Sequence, residues 1–372
     1  MKSIWTMVGC TMAMALSLSQ SFAQNSATSA PGATAPARTM RIGIGLSAEH
    51  PQGQAAQFFA RRIAERTKGQ WRVTVHAGGS IGNDVTMTGD LQSGKLEFSA
   101  PDTSTLSRFT PGFSLINLPF EFTSELDAAR TLDGRFGDAL LSTLDAQGLV
   151  GLGYWENGFR HVTNSKRPLR AAADFRDLRV RVMQNPVFID AFQGLGATTV
   201  PLPFPELFAA LRAQGVDAQE NPPITILAER FYEVQRYMTL TGHSYSAWVL
   251  LMSKKVWDTL SEAERQMVRE VAMETRTFQR ELIRAESKNA IETLKRKGME
   301  VTDLSRVEAS RVRMLVAERV DKHKAKIDRK WRDLLYLERL NDVLDNMAAK
   351  NGASGAQAAA ANTPATAVSQ RK

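Results

Sequence analysis

The sequence predicts an α/β protein of two lobes braced by one long helix. Three observations point there. From Met40 onward, short apolar or alternating runs take turns with helical periodicity, the pattern of a sheet covered by helices. The 372 residues are ample for two cores and favour two lobes over one. Ser261-Glu262-Ala263-Glu264 is a capping box, and the helical pattern it opens runs to about Lys297 without Gly or Pro. At about 1.5 Å per residue such a helix is roughly 50 Å long, enough to brace both lobes.

The first 23 residues read as a secretory signal, with Lys2 as the positive start, Ile4 to Leu18 apolar, and Ser21-Phe22-Ala23 as a small-residue cleavage site. Met7-Val8-Gly9-Cys10 has the form of a lipid-attachment box, but only Met1 to Gly9 precede the cysteine, which argues against lipidation. Cys10 is the only cysteine, so the mature chain has no disulfide and depends on its core. Residues 24–39, rich in Ala, Ser, Thr and Pro, read as a flexible leader. A strand then covers Met40 to Leu46. Pro51 starts a helix with Ala55, Phe58, Phe59 and Ile63 on one face. Arg72 to His76 alternates as a strand, and Asn83-Asp84 caps a helix carrying Val85, Met87 and Leu91. A strand near 96–100 follows, then helices near 124–132 and 135–147 and a strand from Leu149 to Tyr154.

A second series begins near Phe159, with strands near 159–163, 178–183, 198–200 and 216–219. Helices near 186–194 and 205–214 are opened by Pro186 and Pro205. Ala247 to Met252 reads as a strand returning to the first sheet, and the whole sheet is expected to be largely parallel. After the long helix, further helices are expected over 305–324 and 327–346, and a disordered tail over 347–372. The expected lobes are 40–157 with 247–286, and 158–246 with 287–346.

Composition removes several function classes. Net charge is +8, from 47 Lys and Arg against 39 Asp and Glu. In the last third the basic residues interleave with Glu and Asp, as on a charged helix face. No basic run with interleaved aromatics is present, so nucleic acid is not an expected partner. Gly43-Ile44-Gly45-Leu46-Ser47-Ala48 formally matches a dinucleotide fingerprint, yet His50-Pro51 delays the helix and the next strand ends without a carboxylate for a ribose. Such glycines instead allow close backbone approach at a cleft edge, leaving Ser47 and His50 near it. His50, His76, His161, His243 and His323 lack metal-ligand spacing, and no Gly-x-Ser-x-Gly elbow occurs. Neither a cofactor, a metal nor a catalytic set is expected.

Two arginines and an amide point to anion binding instead. Arg160 lies in Gly153-Tyr154-Trp155-Glu156-Asn157-Gly158-Phe159-Arg160, Arg181 in Leu178-Arg179-Val180-Arg181-Val182, and Asn221 in Gln219-Glu220-Asn221-Pro222. Each stretch reads as a strand end, where a sheet can aim polar groups into a cleft. A guanidinium held there suits bidentate capture of a carboxylate. Periodicity alone leaves Arg181 open between an exposed edge-strand arginine and a ligand residue. It leaves Asn221 open between a turn residue and a ligand contact.

These stretches resemble, in order, the DctP-like solute-binding proteins of TRAP transporters. The likeness runs over Tyr154 to Pro168, Leu178 to Gln184, Val200 to Phe204, Val216 to Pro222, Phe231 to Gln235 and Leu240 to His243, within a span of roughly 40 to 300. The resemblance implies a periplasmic-binding-protein-like clamshell with a long bridging helix, acting as an extracytoplasmic receptor in the periplasm and not as an enzyme. It implies a small carboxylate ligand, with a four-carbon dicarboxylate as first choice because two arginines suit two carboxylates. The implied partners are TRAP membrane subunits, and the receptor is expected to be a monomer. Carried over, Arg181 is the main carboxylate anchor, Arg160 a second cationic contact, Asn221 a hydrogen-bond partner and Phe204 an apolar wall. Trp155, Ser47, His50, Thr103 and Ser104 are further expected contacts. An exported enzyme or a sensory module acting on a small carboxylate is the rival reading.

Overall fold

The computed structural model describes residues 38–341 and 344. The expected signal, Cys10, the leader up to residue 37 and the tail from 347 lie outside the described residues. The strands are β1 (Arg38–Gly43), β2 (Trp71–His76), β3 (Phe98–Ser99), β4 (Leu149–Asn164), β5 (Arg179–Val182), β6 (Thr198–Pro201), β7 (Ala218–Asn221), β8 (Tyr237–Ser253) and β9 (Glu300–Asp303). They join in the order β2-β1-β3-β8-β4-β7-β5-β6, with β9 on β8. The sheet is mixed rather than largely parallel. β1 is parallel to β2 and β3, and β5 to β6 and β7, but β8 and β4 run antiparallel to each other and to their neighbours β3 and β7.

Two expected strands, 149–154 and 159–163, are one. β4 continues through Gly153 (φ 138°) and Gly158 (φ 107°), and its register against β8 shifts beside both glycines. Such φ values suit a residue without Cβ, so each glycine serves as a bulge within a strand and not as a turn. β8 is likewise ten residues longer at its start than the expected run from Ala247. The two long strands therefore cross between the half of the sheet holding β1–β3 and the half holding β5–β7, and the fold is two-lobed.

Helices cover the sheet. Pro51–Arg66 packs Ala55, Phe59 and Ile63 with Met40, Ile42 and Phe98, all buried, as the apolar periodicity requires. The long helix Glu262–Arg296 has the expected capping box, with Ser261 N donating to Glu264 Oε2 at 2.7 Å. Gln279 of this helix clasps the β4 backbone at a bulge. It accepts from Glu156 N at 2.8 Å and donates to Glu156 O at 2.7 Å. Arg284 pairs with the buried Glu156 at 2.6 Å one turn further on. Thus the helix holds the strand crossing by its main chain. Arg306–Lys326 packs Val312, Val316 and Val320 against Phe188, Ala191 and Phe192.

Candidate functional site

The alternation in β5 places Val180 and Val182 in the core and turns Arg179 and Arg181 the other way. Their fates differ. Arg179 is exposed and pairs with Asp217 at 2.9 Å. Arg181 is 2% exposed and lines a cavity of about 690 Å³, open mouth included. Arg160 on β4 and Asn221 on the adjacent β7 line the same cavity, as do Phe204, just beyond β6, and Ser104. The sheet thus brings together residues sixty positions apart in sequence.

The two guanidiniums are in opposite states. Arg160 has an acceptor at each of its nitrogens. Its Nε and Nη2 meet the Glu220 carboxylate, Nη2 also donates to Glu220 O at 2.6 Å and Asn221 Oδ1 at 3.1 Å, and Nη1 reaches Ser246 Oγ at 3.3 Å. Glu220 is fully buried. Burial alone would raise its carboxyl, but Arg160 and the His243 hydrogen bond at 3.2 Å outweigh that and hold it below the usual carboxylate range. Arg181 donates through Nε and Nη2 to a single acceptor, Leu202 O, at 2.8 and 2.6 Å. Its Nη1 is buried with no hydrogen-bond partner among the described residues. Burial lowers Arg181 to about 10, with Glu220 opposing that shift and Arg160 adding to it. A buried cation with a free donor is a costly arrangement that an anion would relieve.

Other expected contacts fall elsewhere. Trp155 is buried in the core with Trp248, because β4 continues where a loop was expected, and it does not line the cavity. His50 caps the Pro51–Arg66 helix through Nδ1, bonds Thr225 Oγ1 at 3.1 Å, and is lowered to about 3 by burial, so it is neutral. Thr103 accepts from Asn117 Nδ2 at 3.1 Å, below the cavity wall. Ser47 donates through N and Oγ to Glu229 at 2.9 and 2.8 Å, also off the wall. Ser104 does reach the wall and touches Met183 Sδ at 3.4 Å. His161 and His243 have structural hydrogen bonds, to Gly242 N at 3.0 Å and to Thr241 Oγ1 at 2.8 Å.

Two carboxylates on the wall escaped sequence reasoning. Asp84, in the first turn of Asp84–Ser93, accepts from Asp102 N at 2.9 Å. Asp102 accepts from Ser104 N at 2.8 Å and Ser246 Oγ at 2.5 Å. Burial pushes Asp84 up to about 6, with Asp102's charge adding and Arg181 opposing. Thr225 also lines the cavity, from the helix Pro223–Ala228 that follows Asn221. Among the described residues, no group of three or more His, Cys, Asp or Glu side chains is placed to hold a metal ion. No helix there is long and apolar enough to cross a membrane.

Known proteins share this fold. The profile described as "Bacterial extracellular solute-binding protein, family 7" matches residues 42–326. The 2,3-diketo-L-gulonate-binding periplasmic protein YiaO of Escherichia coli is 34% identical over 271 residues, 73% of this chain and 83% of its own. The C4-dicarboxylate-binding protein DctB of Bacillus subtilis is 31% identical over 246 residues, 66% of this chain and 70% of its own. The sugar acid binding protein DctPAm of Advenella mimigardefordensis, solved with galactonate, superposes with TM-score 0.79 at 39% identity, covering 81% of this chain and 98% of that one. A TRAP periplasmic solute-binding protein of Sulfurospirillum deleyianum, solved with succinate, gives TM-score 0.77 at 25% identity over 81% and 98%. With the match spanning both lobes and every cavity strand, this chain belongs to the DctP family of TRAP solute-binding receptors for small organic acids.

Proposed function

We propose that this protein is the periplasmic receptor of a TRAP transporter, which grips one carboxylate of a small organic acid at Arg181 and delivers it unchanged to the membrane subunits. The observation that carries this reading is the buried, unpartnered Nη1 of Arg181 on the cavity wall. A carboxylate there gains a charge-assisted hydrogen bond in a poorly solvated site, where such bonds are strongest. Asn221 and Phe204 border the same space, and the Arg181 guanidinium lies 5.9 Å from the Phe204 ring centre. Opening the cleft would hydrate Arg181, so an anion favours the closed form, and that form is what a membrane partner can recognise.

A four-carbon dicarboxylate is the second reading, favoured by the C4-dicarboxylate-binding relatives. Its physical basis is weaker than the two arginines suggest, because Arg160 is already neutralised by Glu220. Calorimetric titration with a panel of organic acids tests the proposal. Arg181→Ala should weaken binding of whichever acid binds by thirtyfold or more, for about 2–5 kcal/mol lost with a buried charge partner. Unchanged affinity in that variant, or turnover of the acid, overturns it.

A further inference from the structure

We propose that Asp84 and Asp102 make this cleft selective for a hydroxylated monocarboxylate, of the aldonate type, over a dicarboxylate of the same length. The inference rests on Arg181 as the carboxylate anchor and concerns the rest of the ligand. Both aspartates line the same cavity as the free Nη1 of Arg181. Asp84 Oδ2 accepts from Asp102 N, and no hydrogen bond reaches Asp84 Oδ1 among the described residues. An ionised carboxylate only accepts hydrogen bonds, so what it wants from a ligand is a hydroxyl donor.

Charge balance points the same way. At or directly behind the wall stand two guanidiniums, Arg160 and Arg181, and three carboxylates, Asp84, Asp102 and Glu220. One ligand carboxylate is answered by Arg181. A second would meet no free cation on this wall among the described residues, because Arg160 is already paired with Glu220 and each of its nitrogens has an acceptor in Glu220, Asn221 or Ser246. It would also repel Asp84, which burial and, to a lesser degree, the charge of Asp102 already raise. A hydroxyl brings a donor without a charge. Gln184 and Asn83 on the same wall can donate to that hydroxyl's oxygen, completing its hydrogen bonding. The site therefore reads a chain of hydroxyls and penalises a distal anion, which is discrimination by an unfavourable contact as much as by a favourable one.

Isothermal titration of the mature protein at pH 7.5 with D-erythronate, D-galactonate, succinate and butyrate tests this. At least one hydroxylated acid should bind tenfold or more tightly than succinate and butyrate. Asp84→Asn, which keeps the acceptor for Asp102 N, should weaken the hydroxylated acid tenfold or more and leave succinate unchanged or tighter. The inference is overturned if succinate matches the hydroxylated acids in the unmodified protein, if neither hydroxylated acid binds, or if Asp84→Asn shifts both classes alike. The unmodified protein alone gives the first two readouts, so misfolding of the variant leaves the inference open to refutation. Arg181→Ala separates the two levels. If that variant loses every acid while the preference is absent, only the selectivity is wrong. If it still binds them, the anchor is wrong as well.

Discussion

Arg160 and Arg181 are alike in burial, at 1% and 2% exposure, yet their partners differ. Arg160 has an internal counter-ion and four acceptor groups around it, so folding already satisfies it. Arg181 has one carbonyl and an unused donor. Burial beside a cleft thus does not by itself make an arginine a ligand anchor. What distinguishes an anchor is a deficit of partners, since only an unanswered charge gains much from a bound anion. Glu220 is what satisfies Arg160, and it does so from its place on β7 opposite Val162, two residues along β4 from Arg160.

The strongest test of the contrast is to break the satisfied pair. Arg160→Met should cost about 3–5 kcal/mol of stability, because it leaves Glu220 charged, buried and unmatched. Urea unfolding followed by circular dichroism measures this, and a loss below about 1 kcal/mol would mean the pair is not the structural unit described. Any ligand affinity lost in that variant should be no more than its lower stability explains.

A smaller effect should appear on the acid side. Glu220 has a depressed carboxyl in the folded state, so its contribution is present above about pH 4.5 and lost as pH falls toward its folded value. His50 and His161 act in a different window. Both are lowered to about 3 by burial, so unfolding takes up protons between about pH 6.5 and 3 and stability falls across that range as pH drops. Replacing Glu220→Gln should therefore make the stability profile less steep below pH 4.5, where the histidine slope persists to about pH 3, and leave the slope from 6.5 down to 4.5. Parallel profiles for the two proteins throughout would contradict the assignment.

Much of this arrangement was legible in the chain, and the exceptions have physical causes. The Arg-Val-Arg-Val alternation put Arg179 and Arg181 together on the face away from the core, and only the family resemblance singled out Arg181. The long helix showed itself through its capping box and uninterrupted period. Trp155 was misplaced because Gly153 and Gly158 signal a turn or a bulge equally well, and only pairing with β8 decides between them. His50 precedes a proline-initiated helix and could have been recognised as its cap. Glu220 and Asp84 were invisible as partners, since carboxylates are common and tertiary folding alone selects which one meets a given arginine. The two-arginine argument for a dicarboxylate shares that limit, because it counts arginines without their counter-ions.

The mildest effect is also the most discriminating. Arg181→Met keeps the bulk of the side chain while removing a buried cation whose Nη1 has no partner. The losses are two hydrogen bonds to Leu202 O, a carbonyl on the cavity wall that water in an open cleft can reach, and the attraction to Glu220, Asp84 and Asp102. Against them stands the desolvation penalty that already lowers Arg181. The two should nearly cancel, leaving stability within about 1 kcal/mol of the unmodified protein while acid binding is lost. An arginine kept for ligand and not for folding gives that pairing of outcomes. If Arg181→Met instead unfolds the protein as readily as Arg160→Met, the two residues share a structural role, and the difference in their partners carries no functional meaning.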